Sequence, residues 1–218
     1  MAITMDKTIK IIVADDHPVA VEGIRVWLTR DPRVEVIATA HDSQSLADLV
    51  SRAPCDFVVS DIGMRGINGE SNSIAFLKLL LKQMPRPHII VITMIAHRQM
   101  LAGLLQLGVS GIVDKRDGLG SLTDCIAAIL NGERFVSTRA AELLREAPSD
   151  MLARAGVLSA REWQIFQLYA SGIPVKDIAH RLGRSSKTIG TQKRSGMRKL
   201  GLDSEWDLIA YLQQIGLT

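Results

Sequence analysis

The chain has 218 residues, enough for one or two domains, and it is 47% hydrophobic and 22% charged, as is ordinary for a globular protein. It contains no run of 18 or more apolar residues, and its first ten residues lack the apolar stretch of a signal peptide. We therefore expect a cytoplasmic protein without a membrane segment. Its two cysteines, Cys55 and Cys125, show no metal-binding or redox spacing.

The basic excess is confined to the C-terminal region. Residues 158–218 carry nine lysines and arginines against five acidic residues, a net charge of +4, whereas residues 1–157 carry a net charge of −1. This asymmetry favours a polyanionic partner for the C-terminal region alone. A charge of this size is also compatible with an ordinary solvated surface.

Short apolar runs alternate with helical patterns over the first 130 residues. The runs are rich in Val and Ile, and Gly, Pro or Asp bounds them, which is typical of buried parallel strands. The predicted strands are 9–14, 34–38, 57–59, 88–93 and 109–115. The predicted helices begin near 18, 43, 73, 97 and 119, and Ser43 is the expected cap of the second. This alternation predicts an α/β fold, a doubly wound (βα)5 parallel sheet with right-handed crossovers.

Polar residues follow four of these strands, at the edge where an open α/β sheet binds its ligands. They are Asp15, Asp16, Asp61, Thr93 and Lys115. Each alone is equally well explained as a turn or cap residue. Together, three carboxylates need a cation to neutralise them, and oxygen ligands suit Mg²⁺. With a hydroxyl and an ammonium group added, the set favours phosphoryl transfer, in which one carboxylate can serve as the nucleophile.

On these residues the N-terminal region resembles the receiver domain of two-component response regulators. The resemblance implies that a sensor histidine kinase or a histidine phosphotransfer protein donates a phosphoryl group to an aspartate. It also implies a bound Mg²⁺ and two residues that sense the phosphoryl oxygens. The implied residues are the phosphoacceptor Asp61 with the sensors Thr93 and Lys115, and the Mg²⁺ ligands Asp15, Asp16, Asp61 and the backbone carbonyl of Gly63.

Four positions depart from the pattern of that family. Arg65 and Arg116 stand where proline is frequent. Met94 follows the sensor threonine where a small residue is usual, so we expect it to crowd access to the acyl phosphate. Ile112 occupies the usual position of a switch aromatic, which argues against signalling through an aromatic rotamer. None of the four removes a charged group that the chemistry needs.

A connecting segment and four short helical patterns follow. The segment includes a short helix after Ser137 and a break at 147–150. Ser159 and Glu162 form a capping-box pattern at the start of the first helix, and Gly-containing turns separate the others, which favours a helix-turn-helix module. We therefore predict a receiver domain over 8–132, a linker with a short helix over 133–153, and a helix-turn-helix DNA-binding domain over 154–218.

The third helix of this module carries six basic residues and no acidic residue over 184–199. On the outward side, basic residues and a threonine recur at helical spacing, as expected of a recognition helix in a major groove. The predicted DNA-contacting residues are Lys187, Thr188, Gly190, Thr191, Arg194, Arg198 and Lys199. From charge alone, the alternative is a solvated basic face.

From Leu158 to Gly201 the chain resembles the LuxR-type helix-turn-helix of NarL/FixJ-class response regulators. The resemblance rests on Arg161-Glu162, Gly172, Lys176, Ile178-Ala179, Leu182, Ser186–Ile189 and Lys199-Leu200-Gly201. Within that class the segments most like RcsB-type regulators are 15–18, 92–94 and 186–193. Gly190 and Gly196 each weaken the third helix by up to about 1 kcal/mol relative to Ala, so we expect this helix to become fully ordered only when it binds DNA.

The sequence thus predicts a response regulator, not an enzyme, in which phosphorylation of Asp61 controls DNA binding and transcription. We expect a homodimer, or a heterodimer with an auxiliary regulator. One alternative is a transcription factor that is independent of phosphorylation and uses the receiver as a dimerisation scaffold. Another is a hydrolase that forms an aspartyl phosphate, but such an enzyme typically carries Asp-x-Asp after its first strand, and Asp15-Asp16-His17 lacks that spacing.

Overall fold

The computed structural model describes residues 8–62, 64, 77, 80–82, 85–94, 97–145 and 158–214, and all structural statements below concern these. The chain forms two compact units. The first comprises Met1–Thr93 with Gly108–Ala141, and the second comprises Met94–Leu107 with Glu142–Thr218. Within the described ranges, no helix is both long and apolar enough to cross a bilayer.

The first unit is built on a parallel sheet with the strand order β2-β1-β3-β4-β5-β6. Its strands are β1 (Ile9–Ala14), β2 (Val34–Ala40), β3 (Phe57–Asp61), β4 (His88–Thr93), β5 (Gly111–Asp114) and β6 (Phe135–Val136). The predicted α/β fold and its five strands are confirmed. β6 is an additional edge strand that was not predicted, and it pairs in parallel with β5.

Five helices alternate with these strands or follow them along the chain: α1 (Pro18–Leu28), α2 (Ser43–Arg52), α3 (Arg98–Leu107), α4 (Gly120–Leu130) and α5 (Thr138–Arg145). Of these, α3 and the last four residues of α5 belong to the second unit. Pro18 occupies the first turn of α1, where its missing N–H costs nothing. The cap of α2 differs from the prediction, because the Asp42 side chain accepts a hydrogen bond from the Ser45 amide, whereas Ser43 is buried. Most of the predicted helix near 73–84, and the predicted break at 147–150, lie outside the described residues.

The core of the first unit explains why the sequences of its strands are continuous apolar runs. Consecutive residues of β1 and β3 are fully buried, including Ile11, Ile12, Val58 and Val59. Burial of consecutive residues means that both faces of the sheet are covered, as in parallel sheets. At about 25 cal/mol per Å² of apolar surface removed from water, these strands supply much of the stability of the unit. The polar strand ends are thereby held on a rigid support.

The second unit contains four C-terminal helices: α6 (Ala160–Ala170), α7 (Val175–Arg181), α8 (Ser186–Leu200) and α9 (Glu205–Gln214). The predicted capping box at Ser159 and Glu162 is present at the start of α6. Ser185 caps α8, and Gly201 ends it in the left-handed conformation with a φ of 64°. Ile165, Ile178 and Ile189 from three of the helices share one apolar core.

The helix α8 is continuous through both of its glycines, contrary to the expectation that it becomes fully ordered only when it binds DNA. Gly196 is buried, and a β-carbon placed there would lie 3.0 Å from two ring carbons of Phe166 and 3.2 Å from Leu158. The absence of a side chain therefore lets α6 and α8 approach each other closely. Tertiary packing offsets the low helix propensity of this glycine.

Candidate functional site

The carboxyl ends of the central strands bring the predicted acidic and sensing residues to one edge of the sheet. Asp15 is fully buried after β1, Asp61 ends β3 and is 7% exposed, and Thr93 ends β4 and is 2% exposed. Lys115 follows β5 as the first residue of a 3₁₀ turn. Because β3, β4 and β5 are parallel neighbours in the sheet, paired as Asp61 with Ile92 and Thr93 with Asp114, their carboxyl ends lie side by side at one edge.

Lys115 links two of the carboxylates. Its Nζ lies 2.6 Å from Asp15 Oδ2 and 3.5 Å from Asp61 Oδ1. Burial tends to lower the pKa of Lys115, but the negative charges of Asp61 and Asp15 outweigh it and raise that pKa above its ordinary value. The lysine is therefore cationic near neutral pH and supplies a positive charge to a site that otherwise holds buried carboxylates.

Asp16 and His17 complete the acidic edge. Asp15, Asp16 and His17 each place a potential ligand atom within 4.8 Å of the others. His17 Nδ1 lies 2.9 Å from Asp16 Oδ1 and 3.1 Å from Asp15 Oδ1, and the His17 amide donates to Asp15 Oδ1 at 2.9 Å. His17 was not among the predicted site residues, and its direct adjacency to the acidic pair was the signal that could have identified it.

The residues at this edge fit a magnesium ion. Asp16 Oδ1 is buried and accepts no hydrogen bond within the described part of the chain. The His17 Nδ1 atom lies 2.9 Å away but does not form a hydrogen bond with this oxygen. A buried carboxylate oxygen without a donor is costly unless a cation balances it. Asp15 places a ligand atom within 4.8 Å of one from Asp16, and Lys115 joins Asp15 to Asp61. Carboxylate oxygens are the ligands that Mg²⁺ prefers. Gly63, whose carbonyl was expected to add a ligand, lies outside the described residues.

The departures from the family pattern have distinct surroundings. Met94, directly after Thr93, has 52% of its surface exposed, whereas Ile112 is fully buried within β5. Arg116 donates from Nε to Asp114 Oδ1 at 2.8 Å, so the buried Asp114, next to Lys115 in the chain, is paired with an exposed arginine. Arg65 lies outside the described residues.

The predicted DNA-contacting residues of α8 divide into two groups. The first group is exposed and lies along one face of the helix, and its members are Lys187, Thr191, Arg194 and Arg198. The second group makes internal contacts. Lys199 Nζ lies 2.6 Å from Glu162 Oε2, and the Thr188 hydroxyl lies 2.8 Å from the hydroxyl of the cap residue Ser185. Gly190 is partly buried beside the exposed group.

Lys193 is the clearest case of a basic residue of α8 that faces inward. Only 8% of it is exposed. Its Nζ lies 2.7 Å from Glu205 Oε1 and 4.2 Å from the centre of the Tyr169 ring. The ammonium group therefore joins α8 to α6 and α9, and it is not available to a partner of the exposed face.

Two protein families match the chain. Residues 11–127 match the response regulator receiver domain, and residues 156–212 match the bacterial regulatory proteins of the luxR family. The first match covers most of β1, all of β2 to β5 and the acidic edge, and the second covers α6 to α8 and most of α9.

Individual proteins match over nearly the full length. The chain is 32% identical to the transcriptional regulatory protein RcsB of Escherichia coli over 208 residues, 95% of each chain. It is 30% identical to the oxygen regulatory protein NreC of Staphylococcus epidermidis over 93% of this chain and 95% of that protein.

Solved structures of RcsB are also similar. One shows RcsB of Salmonella enterica serovar Typhimurium bound to the promoter rprA in the presence of the phosphomimetic BeF3⁻, with a TM-score of 0.69, 30% identity, and coverage of 95% of this chain and 99% of that one. Another shows two RcsB dimers bound to two parallel DNAs, with a TM-score of 0.64, 31% identity and the same coverage.

Proposed function

This chain belongs to the response regulators that join a receiver domain to a LuxR-type region, and from that membership we propose that phosphorylation of Asp61 controls its binding to promoter DNA and thereby transcription. One observation carries the proposal: Asp61, Thr93 and Lys115 meet with the acidic pair at a single edge of the sheet. The structures of RcsB on promoter DNA with BeF3⁻ support the coupling of the two events.

In the proposed reaction, a carboxylate oxygen of Asp61 attacks the phosphorus of a phosphohistidine on a sensor kinase or a phosphotransfer protein. The new P–O bond forms as the P–N bond breaks, and the released imidazole takes up a proton. Lys115, already 3.5 Å from Asp61, would balance the negative charge that arrives, and the hydroxyl of the buried Thr93 would donate to a phosphoryl oxygen. The reaction needs mainly positioning and charge neutralisation, which buried groups on strand ends provide.

We assign the Mg²⁺ ligands to Asp15, Asp16 and Asp61, with the carbonyl of Gly63 as the expected backbone ligand. Mg²⁺ bound there would neutralise the phosphoryl oxygens during transfer. Asp15 holds Lys115 at 2.6 Å, so the lysine must leave this partner, at least in part, to follow a phosphoryl group on Asp61. The competition between the two aspartates makes the position of Lys115 sensitive to phosphorylation.

The DNA-binding surface in this proposal is the exposed face of α8. Lys187, Arg194 and Arg198 supply positive charge for phosphates and donors for base edges, with Thr191 among them. We further propose a homodimer, or a heterodimer with an auxiliary regulator, because paired modules grip two half-sites. The solved complex of two RcsB dimers with DNA is in line with this. The domain limits of 8–132, 133–153 and 154–218 remain predictions.

The test is DNA affinity of the wild type and of Asp61→Ala, with and without Mg²⁺ and beryllofluoride. We expect the wild type to bind several-fold more tightly after treatment and Asp61→Ala not to respond. Asp31→Ala serves as the matched control, because Asp31 is a surface aspartate paired with Arg33, and it should respond as the wild type does. Equal binding by all proteins in all conditions would favour the phosphorylation-independent regulator, with which the buried Ile112 is compatible.

A further inference from the structure

The two glycines of α8 have opposite surroundings. A β-carbon on Gly196 would crowd Phe166 and Leu158, so packing within the chain requires that glycine. A β-carbon on Gly190 would meet no atom within 4 Å. Glycine inside a helix costs about 1 kcal/mol relative to alanine, and at Gly190 no contact within the described chain offsets this cost. The missing side chain at Gly190 therefore suits a molecule that approaches from outside.

The neighbours of Gly190 show which kind of molecule this is. Lys187 and Arg194, one turn before and one turn after, are exposed and carry no acidic partner in the described contacts of α8. They flank the glycine as a cationic rim. Such a rim holds phosphates or guanine edges and would bring the floor of a major groove against the backbone at Gly190.

Thr191 adds an apolar element next to this gap. Its hydroxyl donates to the Lys187 carbonyl at 2.9 Å, which turns the oxygen towards the preceding turn of the helix. The other substituent on the same β-carbon is the methyl group, and Thr191 is exposed. A space without a β-carbon, bordered by a threonine methyl group, is a small apolar recess within a basic surface.

We propose that this recess, formed by Gly190 and Thr191, reads a thymine in the bound DNA by accepting its 5-methyl group. Thymine is the base that presents a methyl group in the major groove, and threonine methyl groups are among its usual apolar contacts. The inference rests on the proposed function and adds a base preference to it. A methyl group on residue 190 would occupy the same space as the thymine methyl group, so the two should exclude each other.

The experiment begins with selection of a binding site for the full-length wild type from randomised duplex DNA, with Mg²⁺ and beryllofluoride. Each thymine of the selected site is then replaced in turn by uracil, which removes only the methyl group. At one position per half-site, we expect the wild type to lose about fourfold in affinity, the value of one buried methyl group. Gly190→Ala should bind the thymine duplex at least about fivefold more weakly than the wild type, because of crowding. It should regain affinity when that same position carries uracil.

Two further measurements make the result specific. Thr191→Ser keeps the hydroxyl and removes the methyl group, so it should lose the preference for thymine over uracil at the same position. The thermal midpoint of Gly190→Ala should equal or exceed that of the wild type, since its β-carbon meets open space. A lower midpoint would contradict the open space on which the inference depends.

The outcomes separate the two proposals. If the wild type selects no DNA sequence, the proposed function fails and this inference fails with it. If the wild type selects a site but no uracil substitution weakens binding, or if Gly190→Ala discriminates between thymine and uracil as the wild type does, the thymine recess is wrong and the proposed function stands.

Discussion

The acidic edge of the sheet and the exposed face of α8 both consist of charged side chains, but they treat charge in opposite ways. At the sheet edge Asp15 and Asp61 are buried, and Lys115 contacts both, with its Nζ 2.6 Å from Asp15 Oδ2. On α8 the outward residues Lys187, Arg194 and Arg198 are exposed. This difference suits the proposed ligands. A phosphoryl group is small and can be surrounded by the charges of the sheet edge, whereas a nucleic acid is large and needs the exposed surface of α8.

The same comparison applies within α8 itself. Lys193 and Lys199 are residues of a type that commonly contacts DNA, yet each forms an ion pair with a glutamate of another helix. A count of basic residues therefore overstates the charge that a partner can meet. Single substitutions in these regions distinguish residues that act on a ligand from residues that act on the fold.

The first prediction concerns Asp16 at the sheet edge. Replacing Asp16 by Asn removes one negative charge from the proposed ligands. We expect the affinity for Mg²⁺ to fall at least about a hundredfold, because residues that only support a ligand already contribute up to that much. Isothermal titration calorimetry would measure this directly. The control is Asp31→Asn, a surface carboxylate paired with Arg33, which should bind Mg²⁺ as the wild type does. Equal affinities for all three proteins would remove Asp16 from the metal site.

The second prediction concerns Gly196, where the close approach of α6 and α8 leaves no room for a methyl group. Alanine should favour the helix intrinsically but crowd Phe166, and we expect a net loss of about 1–3 kcal/mol in the free energy of unfolding. Urea unfolding followed by tryptophan fluorescence would measure it. A stabilised Gly196→Ala would show that Phe166 moves aside at little cost and that the glycine has no packing role.

The third prediction separates two adjacent basic residues of α8. Lys193→Met keeps an apolar stem but loses the ion pair with Glu205 and the contact with the Tyr169 ring, and the unfolding free energy should fall by about 1–2 kcal/mol. Its DNA affinity and the dependence of that affinity on salt should not change.

Arg194→Met is the matched control for that variant, since the same substitution is made one residue later on the exposed side. It should leave stability unchanged and weaken DNA binding, and the slope of log affinity against log salt should decrease by about 1, for one lost phosphate contact. If Lys193→Met shows that change in slope, the assignment of Lys193 to the fold is wrong.

The fourth and smallest prediction concerns pH. Burial tends to raise the pKa of Glu162, but hydrogen bonds from Lys199 and Ser159 outweigh it and lower that pKa below its ordinary value. Its stabilising contribution is therefore fully present above the pKa of an unfolded glutamate, about 4.3, and is lost as the pH falls through the lower folded value. We expect the stability gap between the wild type and Glu162→Gln to narrow on acidification, because the wild type then loses the contribution of the ionised carboxylate. A gap that stays constant between pH 7 and pH 3 would show that the ion pair with Lys199 contributes nothing. The substitution Glu35→Gln, on an exposed residue of β2, controls for general effects of charge.

Much of the fold was predictable because its signals are local. Each central strand is a continuous apolar run, and the capping box at Ser159 and Glu162 lies within four residues. The strand that was missed and the helix cap that was assigned to the wrong residue had no such local signal. A two-residue strand such as β6 has no periodicity to detect, and α2 is capped by Asp42 because both Asp42 and Ser43 are suitable caps and only the backbone decides between them.

Local sequence patterns are enough to predict the sheet, the position of Asp61, Thr93 and Lys115 at its edge, and the outward stripe of α8, because strand ends and helical periodicity depend on neighbours along the chain. The tertiary structure alone decided which basic residues are free to meet a ligand. Lys199 lies 37 positions from Glu162, and Lys193 lies 12 from Glu205. Such pairs depend on how separate helices pack, and no local pattern encodes that packing.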